Sequence, residues 1–595
     1  MVLLRRIYSK TGLFDEVTFH KGVNIILAKY SQKKKYDEYG KPLDINGVGK
    51  STLVRLIDFS LLADEGRNNF FDVDTHDFLK NHSVSLDFSI GSDDYSITRP
   101  FQDYSAVTFG KNGLESDFRD TELRRRFEGL FFKSENREVN TEGLTFRNLL
   151  RFFVKDDLSQ EGRKDPFNFI DPHISQYDVY AYNLFLLGLP SRNIHRMSEL
   201  NKDIKHLDDQ GKTMRKKVEE ETGRKIEALK SDLILLDGQI GRLENATKNY
   251  RLKETYEDIE KDLIDISCQM TEFLSDETTM RNRLEVIRSA YDVDYSVDDK
   301  RVVRLYRQVN EEFSNVIKRK LEEVIRFRVK LAENRKKFLA ERETELSQEI
   351  EKISKCISEL EARRIHLYTL LDERNALDSI KNTYSRYIEE KAKKEALVSK
   401  LGNIKFIEDG LAEKQTQKSE TIKKVYDDIA RVDEKIKNIR KLFLEIMHAT
   451  VFSDCLTDAT FDISAQPGSE RPFKMKIDVP KSESQGRNRL TMLSYDLTVF
   501  FNIVESGRGL PHFLVHDGAI HGIAPRTVIK ALNFVNSKSL QNQNFQYILT
   551  ANESELFFSK EKSLEYGQFS FDLDAATIAV LTEKPEGMLF KREYM

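Results

Sequence analysis

Apolar positions in the middle of the chain recur in steps of three and four. Ile226, Leu229, Leu233, Leu236, Ile240 and Leu243 set the rhythm, and Tyr256, Ile259, Leu263, Ile266, Met270 and Phe273 repeat it. Met280, Leu284, Ile287 and Tyr291 stay in register. Leu346, Ile350, Ile353, Ile357 and Leu360 resume it, as do Val425, Ile429, Val432, Ile436, Ile439, Phe443 and Ile446. A seam of this period, sustained amid Lys and Glu, predicts a coiled coil over 191–446. Its phase slips near Thr247 to Lys253, and Gly402 and Gly410 mark a second weak zone; local unwinding is expected at both. The polar run Tyr291 to Asp299 interrupts the helix. We therefore expect an outgoing arm to 291, a tip at about 292–345 and a returning arm from 346. An arm of about 100 residues spans about 150 Å at helical rise. An intermolecular coil without a hairpin is the alternative that this pattern leaves open.

The flanking regions read differently. Over residues 1–190, Val23 to Leu27 is a short apolar strand, and Leu53 to Leu62 has helical period. Val84 to Ile90 and Tyr95 to Arg99 alternate around Gly91-Ser92-Asp93-Asp94, which predicts a hairpin. Pro190-Ser191 marks a helix start. Over 447–595, Phe461 to Ser464 and Phe473 to Val479 are strands, Leu490 to Val504 is a helix, and Phe513 to Val515 and Phe545 to Leu549 are buried strand cores. Pro472, Pro480, Pro511 and Pro525 are expected between elements.

Each flank carries half of a recognisable chemistry. Gly47-Val48-Gly49-Lys50-Ser51 has glycines that let backbone N–H groups close around phosphates, followed by a helix start whose dipole favours anions. In that arrangement Lys50 reaches the β- and γ-phosphates and the Ser51 hydroxyl ligates Mg²⁺. The full phosphate-loop pattern has Gly where this chain has Asp44, a carboxylate that must point away from phosphates. At the other end, Asp517 follows the apolar run Phe513 to His516, where a strand-end carboxylate holds the Mg²⁺ shell. The next position, which in such ATPases orients the attacking water with Glu, is Gly518. Loss of a base costs roughly 10² to 10⁴ in rate, and His521 is the nearest replacement. Ser484-Gln485-Gly486 before a helix is a second phosphate-recognition device, equally readable as an ordinary cap. Gln160 is a candidate near Mg²⁺. Two halves of one site at opposite chain ends require the chain to fold back.

Composition narrows this picture. At 595 residues the chain exceeds one compact core, and 33% charged residues without Trp fit long charged helices joined to an α/β domain. A net charge of −4 excludes a uniformly basic nucleic-acid binder. Locally, residues 300–342 hold 14 Lys or Arg against six Glu, so phosphate backbone, an acidic partner or plain solvation fit there. Cys268, Cys356 and Cys455 form no metal-type pair. Met1 to Arg6 lacks an apolar leader, and no apolar run approaches the roughly 18 residues a membrane span needs. A soluble cytoplasmic protein is expected, and no clustered carboxylates or histidines suggest a nuclease.

Together these residues resemble the ABC-type heads of the structural maintenance of chromosomes (SMC) and RecN/RecF class. Asn46 to Thr52 is similar to its Walker A, Phe513 to Asp517 to its Walker B, and Ser484-Gln485-Gly486 to a degenerate signature. The order of parts over the whole chain resembles, more closely, the short bacterial SMC-like ATPases of the YydD type, a domain-of-unknown-function family. Asn46 to Leu53, His516-Asp517-Gly518 and Tyr547 to Asn552 carry that likeness. The resemblance implies an α/β ABC-type ATPase head formed by both chain ends, with an antiparallel coiled-coil insertion. It implies ATP and Mg²⁺ as cofactors, with Asn46, Gly47, Gly49, Lys50, Ser51 and Thr52 of one head and Ser484 and Gly486 of another around the nucleotide. Asn552 stands near the switch His of such heads, Asp517 and His521 take the catalytic positions, and Ser51, Asp517 and Gln160 surround the metal. It further implies a homodimer through the heads, DNA at the heads and arm bases, partner proteins encoded nearby, and a link to ABC three-component systems that defend against phage or invading DNA. The departures are Asp44, Gly518 and Asn552, and the absence of the CxxC hook of some relatives.

Three functions compete on this evidence. The first is an SMC-like ATPase, slow for want of the Glu, whose heads dimerise around ATP to gate DNA association in repair or anti-phage defence. The second is a nucleotide-binding scaffold or sensor with negligible hydrolysis. The third is a structural coiled coil with a decayed head.

Overall fold

The computed structural model describes residues 1–31, 45–64, 70, 73–156, 165–170, 174–248, 257–292, 315–372, 378–451, 459–468, 472–480, 484–542 and 544–591. Asp44 and Gln160 lie outside them, as do most of the run Tyr291 to Asp299 and the start of the basic stretch. The chain divides into two compact units, Met1–Lys205 with Glu413–Met595, and His206–Ala412. No helix among the described residues is long and apolar enough to cross a membrane.

The first unit opens with strands β1 (Val2–Tyr8), β2 (Val17–Thr18) and β3 (Gly22–Ala28), helices α1 (Lys50–Ser60) and α2 (Val73–Leu79), and strands β4 (Ser83–Ile90), β5 (Asp93–Pro100), β6 (Ala106–Lys111) and β7 (Leu114–Arg119). Then come α3 (Asp120–Phe131), α4 (Phe146–Phe153), β8 (Val154–Lys155), α5 (Gln176–Leu187) and α6 (Arg192–Thr222). The predicted hairpin is β4–β5, in register from Ile90↔Asp93 to Ser83↔Pro100. Period-2 alternation buries Val84, Leu86 and Phe88 on one face. Arg99, on that face of β5, is fully buried, and its Nε and Nη1 donate to the carbonyls of Tyr104 (2.7 Å), Phe59 (2.7 Å) and Ala63 (2.8 Å). Arg147 bonds Leu61 O and Asp58 at 2.7 Å each. Two cations therefore close the C-terminal end of α1, where the helix dipole favours positive charge. Desolvation pulls the Arg99 guanidinium down to about 10, still charged at neutral pH.

The second unit contains the outer part of α6, then α7 (Ile226–Lys248), α8 (Glu257–Asp292), α9 (Asn315–Asp372) and α10 (Asp378–Arg431) up to Ala412. Its apolar seams pair antiparallel. Val218, Ile226 and Leu229 meet Ile404; Leu263, Ile266 and Met270 meet Leu367, Tyr384 and Tyr387; Leu284 meets Leu346 and Ile350. Arg288 pairs with Glu343 at 2.9 Å, so the returning helix begins to pack before residue 346, inside the stretch expected as tip. Expected unwinding at Gly402 and Gly410 is not found, because α10 runs through both. Helical glycine costs about 1 kcal/mol each, and at neither position does packing demand it, since a Cβ would meet nothing within 4 Å at Gly402 and only ordinary contact with Leu207, at 3.9 Å, at Gly410. An unexpected break falls instead between α6 and α7, where Gly223 adopts φ 64°.

The chain re-enters the first unit through the end of α10, α11 (Asp433–Thr450), β9 (Thr460–Ala465), β10 (Phe473–Asp478), α12 (Gln485–Glu505), β11 (Phe513–His516) and α13 (Pro525–Gln541). There follow β12 (Gln546–Asn552), α14 (Glu553–Leu556), α15 (Lys560–Tyr566), α16 (Leu573–Ala576) and β13 (Thr577–Leu581). Pro525 stands at the first turn of α13 rather than between elements, a position that needs no N–H donor. Within the first unit, Asn193 bonds Asp428 (2.6 Å) and Lys414 bonds Asp203 (2.7 Å), and the unit runs past the expected boundaries at 190 and 447.

Beside the two-stranded antiparallel pair β9–β10, this unit carries two larger sheets, one antiparallel in order β2-β1-β4-β5-β6-β7 and one parallel in order β13-β3-β12-β11-β8. The parallel sheet interleaves the chain ends, with β3 between β12 and β13. Every residue of β3 is buried, which matches its largely apolar sequence; the one polar member, Asn24, bonds the carbonyls of His20 and Gly22. Gln546 locks the ends further, its amide bonding Leu4 N at 2.8 Å and Leu4 O at 2.7 Å.

Candidate functional site at the carboxyl ends of the parallel strands

Ligands of open parallel sheets gather outside the carboxyl ends of the strands. Beyond β3, residues 45–49 curl into α1 with Gly47 at φ 88° and Gly49 at φ 111°, conformations that side chains resist. A Cβ on Gly47 would meet nothing within 4 Å, so the loop is open there, with Asn46 also exposed. The first-turn N–H groups of α1 have no partner inside the helix, and its dipole favours an anion. Lys50 is 8% exposed and donates to Asn552 Oδ1 at 2.8 Å. Ser51 and Thr52 follow half-buried. This donor set fits a bound triphosphate.

Asp517 ends β11, 3% exposed. Its Oδ1 accepts from Thr550 Oγ1 at 2.6 Å, and its N–H donates to Lys155 O at 2.9 Å. Gly518 sits at φ 66° and donates its N–H to Thr550 Oγ1 at 3.1 Å. Gly518, standing where the sequence lacks a Glu, thus occupies a left-handed turn that disfavours a side chain. His521 Nδ1 bonds Glu555, whose other oxygen accepts the Asn552 N–H at 2.8 Å in a capping box that starts α14. Lys50, Asn552, Glu555 and His521 therefore form one connected run, and Thr550 joins Asp517 to the same strand end.

Ser484 caps α12, but the helix already begins at Gln485, so Gly486 lies in its first turn rather than in a preceding loop. A Cβ on Gly486 would come within 2.7 Å of Gly522 O, and Arg489 donates to His521 O at 2.8 Å. The expected signature segment is thereby fixed against the loop that follows Asp517.

Sequence reasoning passed over the support behind this site. Lys155 on β8 meets Asp496 on α12 at 2.5 Å, and His516 Nε2 lies 3.3 Å from the same carboxylate. His516 Nδ1 is 3.1 Å from Tyr547 Oη. All four groups are buried. Burial opposes the Asp496 charge, yet Lys155 and then His516 hold its carboxyl below the usual range. Burial pushes His516 down, so it is neutral at pH 7. The available signal was a lone Asp in the apolar run Leu490 to Val504. Among the described residues no group of three or more His, Cys, Asp or Glu gathers as a metal site.

Residues 447–594 match the family described as an uncharacterised protein conserved in bacteria (DUF2326). The uncharacterised protein YydD of Bacillus subtilis (strain 168) is 22% identical over 575 residues, which covers 91% of this chain and 92% of that protein. Two solved structures align over most of their length at 12% identity. An Smc head domain with a coiled coil and joint from Pyrococcus yayanosii gives a TM-score of 0.32 over 92% of each chain. An Smc head domain with an extended coiled coil, bound to the C-terminal domain of ScpA from Pyrococcus furiosus, gives 0.33 over 93% of this chain and 91% of that one.

Proposed function

We propose that this chain is an SMC-like ATP-binding protein whose heads associate around ATP and so gate contact with DNA, in repair or anti-phage defence alongside partner proteins. The observation that carries the proposal is the 2.8 Å bond from Lys50 to Asn552, together with the 2.6 Å bond from Thr550, two residues earlier on β12, to Asp517: residues from both chain ends meet at the carboxyl end of one strand. In this reading the amides of Gly47 to Lys50 cradle the phosphates, and Lys50 exchanges Asn552 for a phosphate oxygen. Ser51 and Asp517 hold Mg²⁺, which when bound neutralises charge on the β- and γ-phosphates. Asn552, released by Lys50, then faces the terminal phosphate, and Ser484 and Gly486 reach the nucleotide of a second head. Lys50→Ala should weaken MgATP binding and abolish ATP-dependent association in sedimentation; association unchanged by the substitution refutes the proposal. Contact with DNA should weaken with salt at a slope of about −0.9 per neutralised phosphate. A flat salt response assigns the basic stretch 300–342 to a protein partner instead.

A nucleotide-binding scaffold is the second reading, favoured by the left-handed turn at Gly518. If hydrolysis occurs, His521, held by Glu555, is the base this chain offers, and the rate is slow. Turnover abolished by Asp517→Asn excludes the scaffold; no turnover in a protein that binds MgATP excludes the ATPase.

A further inference from the structure

The connection from β3 to α1 runs from Ala28 to Lys50, far longer than the about 2–6 residues usual between a strand and a helix. A phosphate loop works only if its backbone is held. The C-terminal run after β13 supplies restraint at both ends of that connection. At the strand end, Lys29 N–H donates to Leu581 O at 3.0 Å. The buried Glu583 accepts from Ser31 N at 2.8 Å and Ser31 Oγ at 2.5 Å. At the helix end, Leu589 N–H donates to Val48 O at 3.0 Å, and the Leu589 side chain packs so closely that a Cβ on Gly49 would lie 2.4 Å from its Cβ.

The run is itself anchored. Phe590 is 6% exposed, with its ring 6.5 Å from Phe14 and 6.1 Å from Phe78. Lys591 N–H closes a turn onto Met588 O at 3.0 Å, and its ammonium pairs with Asp15 at 2.7 Å. Lys591 holds φ 54°, a left-handed conformation that a non-glycine residue keeps only where its surroundings demand it. Because the Val48 carbonyl is engaged from this side, the Val48–Gly49 peptide is fixed in orientation, and with it the Gly49 N–H.

We propose that Glu583 and Leu589 are positioning residues for phosphate binding. The C-terminal run braces the glycine loop in its anion-binding form, doing what a short strand-to-loop turn does elsewhere. The inference deepens the nucleotide reading above and rests on it for the ligand, but the brace itself is testable without nucleotide. The experiment compares full-length wild type with Leu589→Ala, Leu589→Met and Glu583→Ala. Amide hydrogen exchange over residues 46–52 is followed in nucleotide-free protein, and MgATP affinity is measured alongside. Leu589→Ala and Glu583→Ala should each speed exchange over 46–52 about tenfold, the mark of a local opening made easier. Both should weaken MgATP affinity by a similar factor while exchange in β11 and β12 stays unchanged, and Leu589→Met should restore both readouts. Unchanged exchange over 46–52 in a folded Leu589→Ala protein overturns the brace. Should that variant fail to fold, Glu583→Ala decides by the same readout. Faster exchange in a protein whose wild type binds no MgATP supports the brace and overturns the nucleotide reading alone.

Discussion

Removing the Asp496 carboxylate tests how the site is supported from behind. In Asp496→Ala the Lys155 ammonium, 4% exposed and 4.8 Å from the Phe152 ring, loses its counter-ion inside the sheet layer. His516, fully buried 3.3 Å from that carboxylate, loses the same partner. Breaking one side of a buried pair costs about 3–5 kcal/mol, because the remaining charge is left uncompensated. For a unit of several hundred residues, one kcal/mol moves a melting midpoint by roughly 1 °C, so a fall of about 3–6 °C is expected. The double change Lys155→Met with Asp496→Leu removes both charges and keeps volume, and such replacements are about neutral or stabilising by 1–4 kcal/mol. Scanning calorimetry of the unit that carries both sheets should therefore place the double variant above the single one. A single variant as stable as wild type, or a double variant less stable than the single, refutes the claim that this pair is a mutually compensated buried charge. A second consequence is local. Lys155 O accepts the Asp517 N–H, so the single variant should also speed exchange at that amide, whereas the double variant should not.

Two further outcomes follow from polar groups elsewhere in the same unit. Arg99→Ala strands the carbonyls of Phe59, Ala63 and Tyr104 beside a large void, and should cost about 3 kcal/mol or more by chemical denaturation; a loss below 1 kcal/mol would mean the end of α1 needs no cation. Asp178, although burial works against its charge, is held well below the usual carboxylate range by His195, Lys202 and Ser198. Its folded-state value lies below the unfolded 3.8, so its contribution is present above about pH 4 and is lost as pH falls further. Stability of wild type should drop more steeply than that of Asp178→Asn below about pH 4, and parallel pH profiles would refute this.

Much of the fold was legible. The seam from Ile226 to Tyr291 and its return from Leu346 were periodic enough to imply paired helices, and the largely apolar run Val23 to Leu27 read as a strand. Gly47, Gly49, Lys50 and Asp517 stood out by type and spacing, and the structure places them after the carboxyl ends of β3 and β11. Less legible were features that depend on what lies opposite. Gly410 resembles a weak point in sequence, yet the helix runs unbroken through it. Glu555 looks like any acid near a helix start, yet it joins His521 to Asn552.

The sequence by itself determined the periods, and with them the alternation of strands, the helical arms and the backbone freedom at Gly47 and Gly49, because these are local properties of residues and their immediate neighbours. Only the tertiary structure decided that Lys50 meets Asn552, that Lys155 and His516 share Asp496, and that Leu589 closes on Gly49. Apart from His516 with Asp496, those contacts join residues hundreds of positions apart, and their energies arise from burial and geometry that no stretch of chain carries alone.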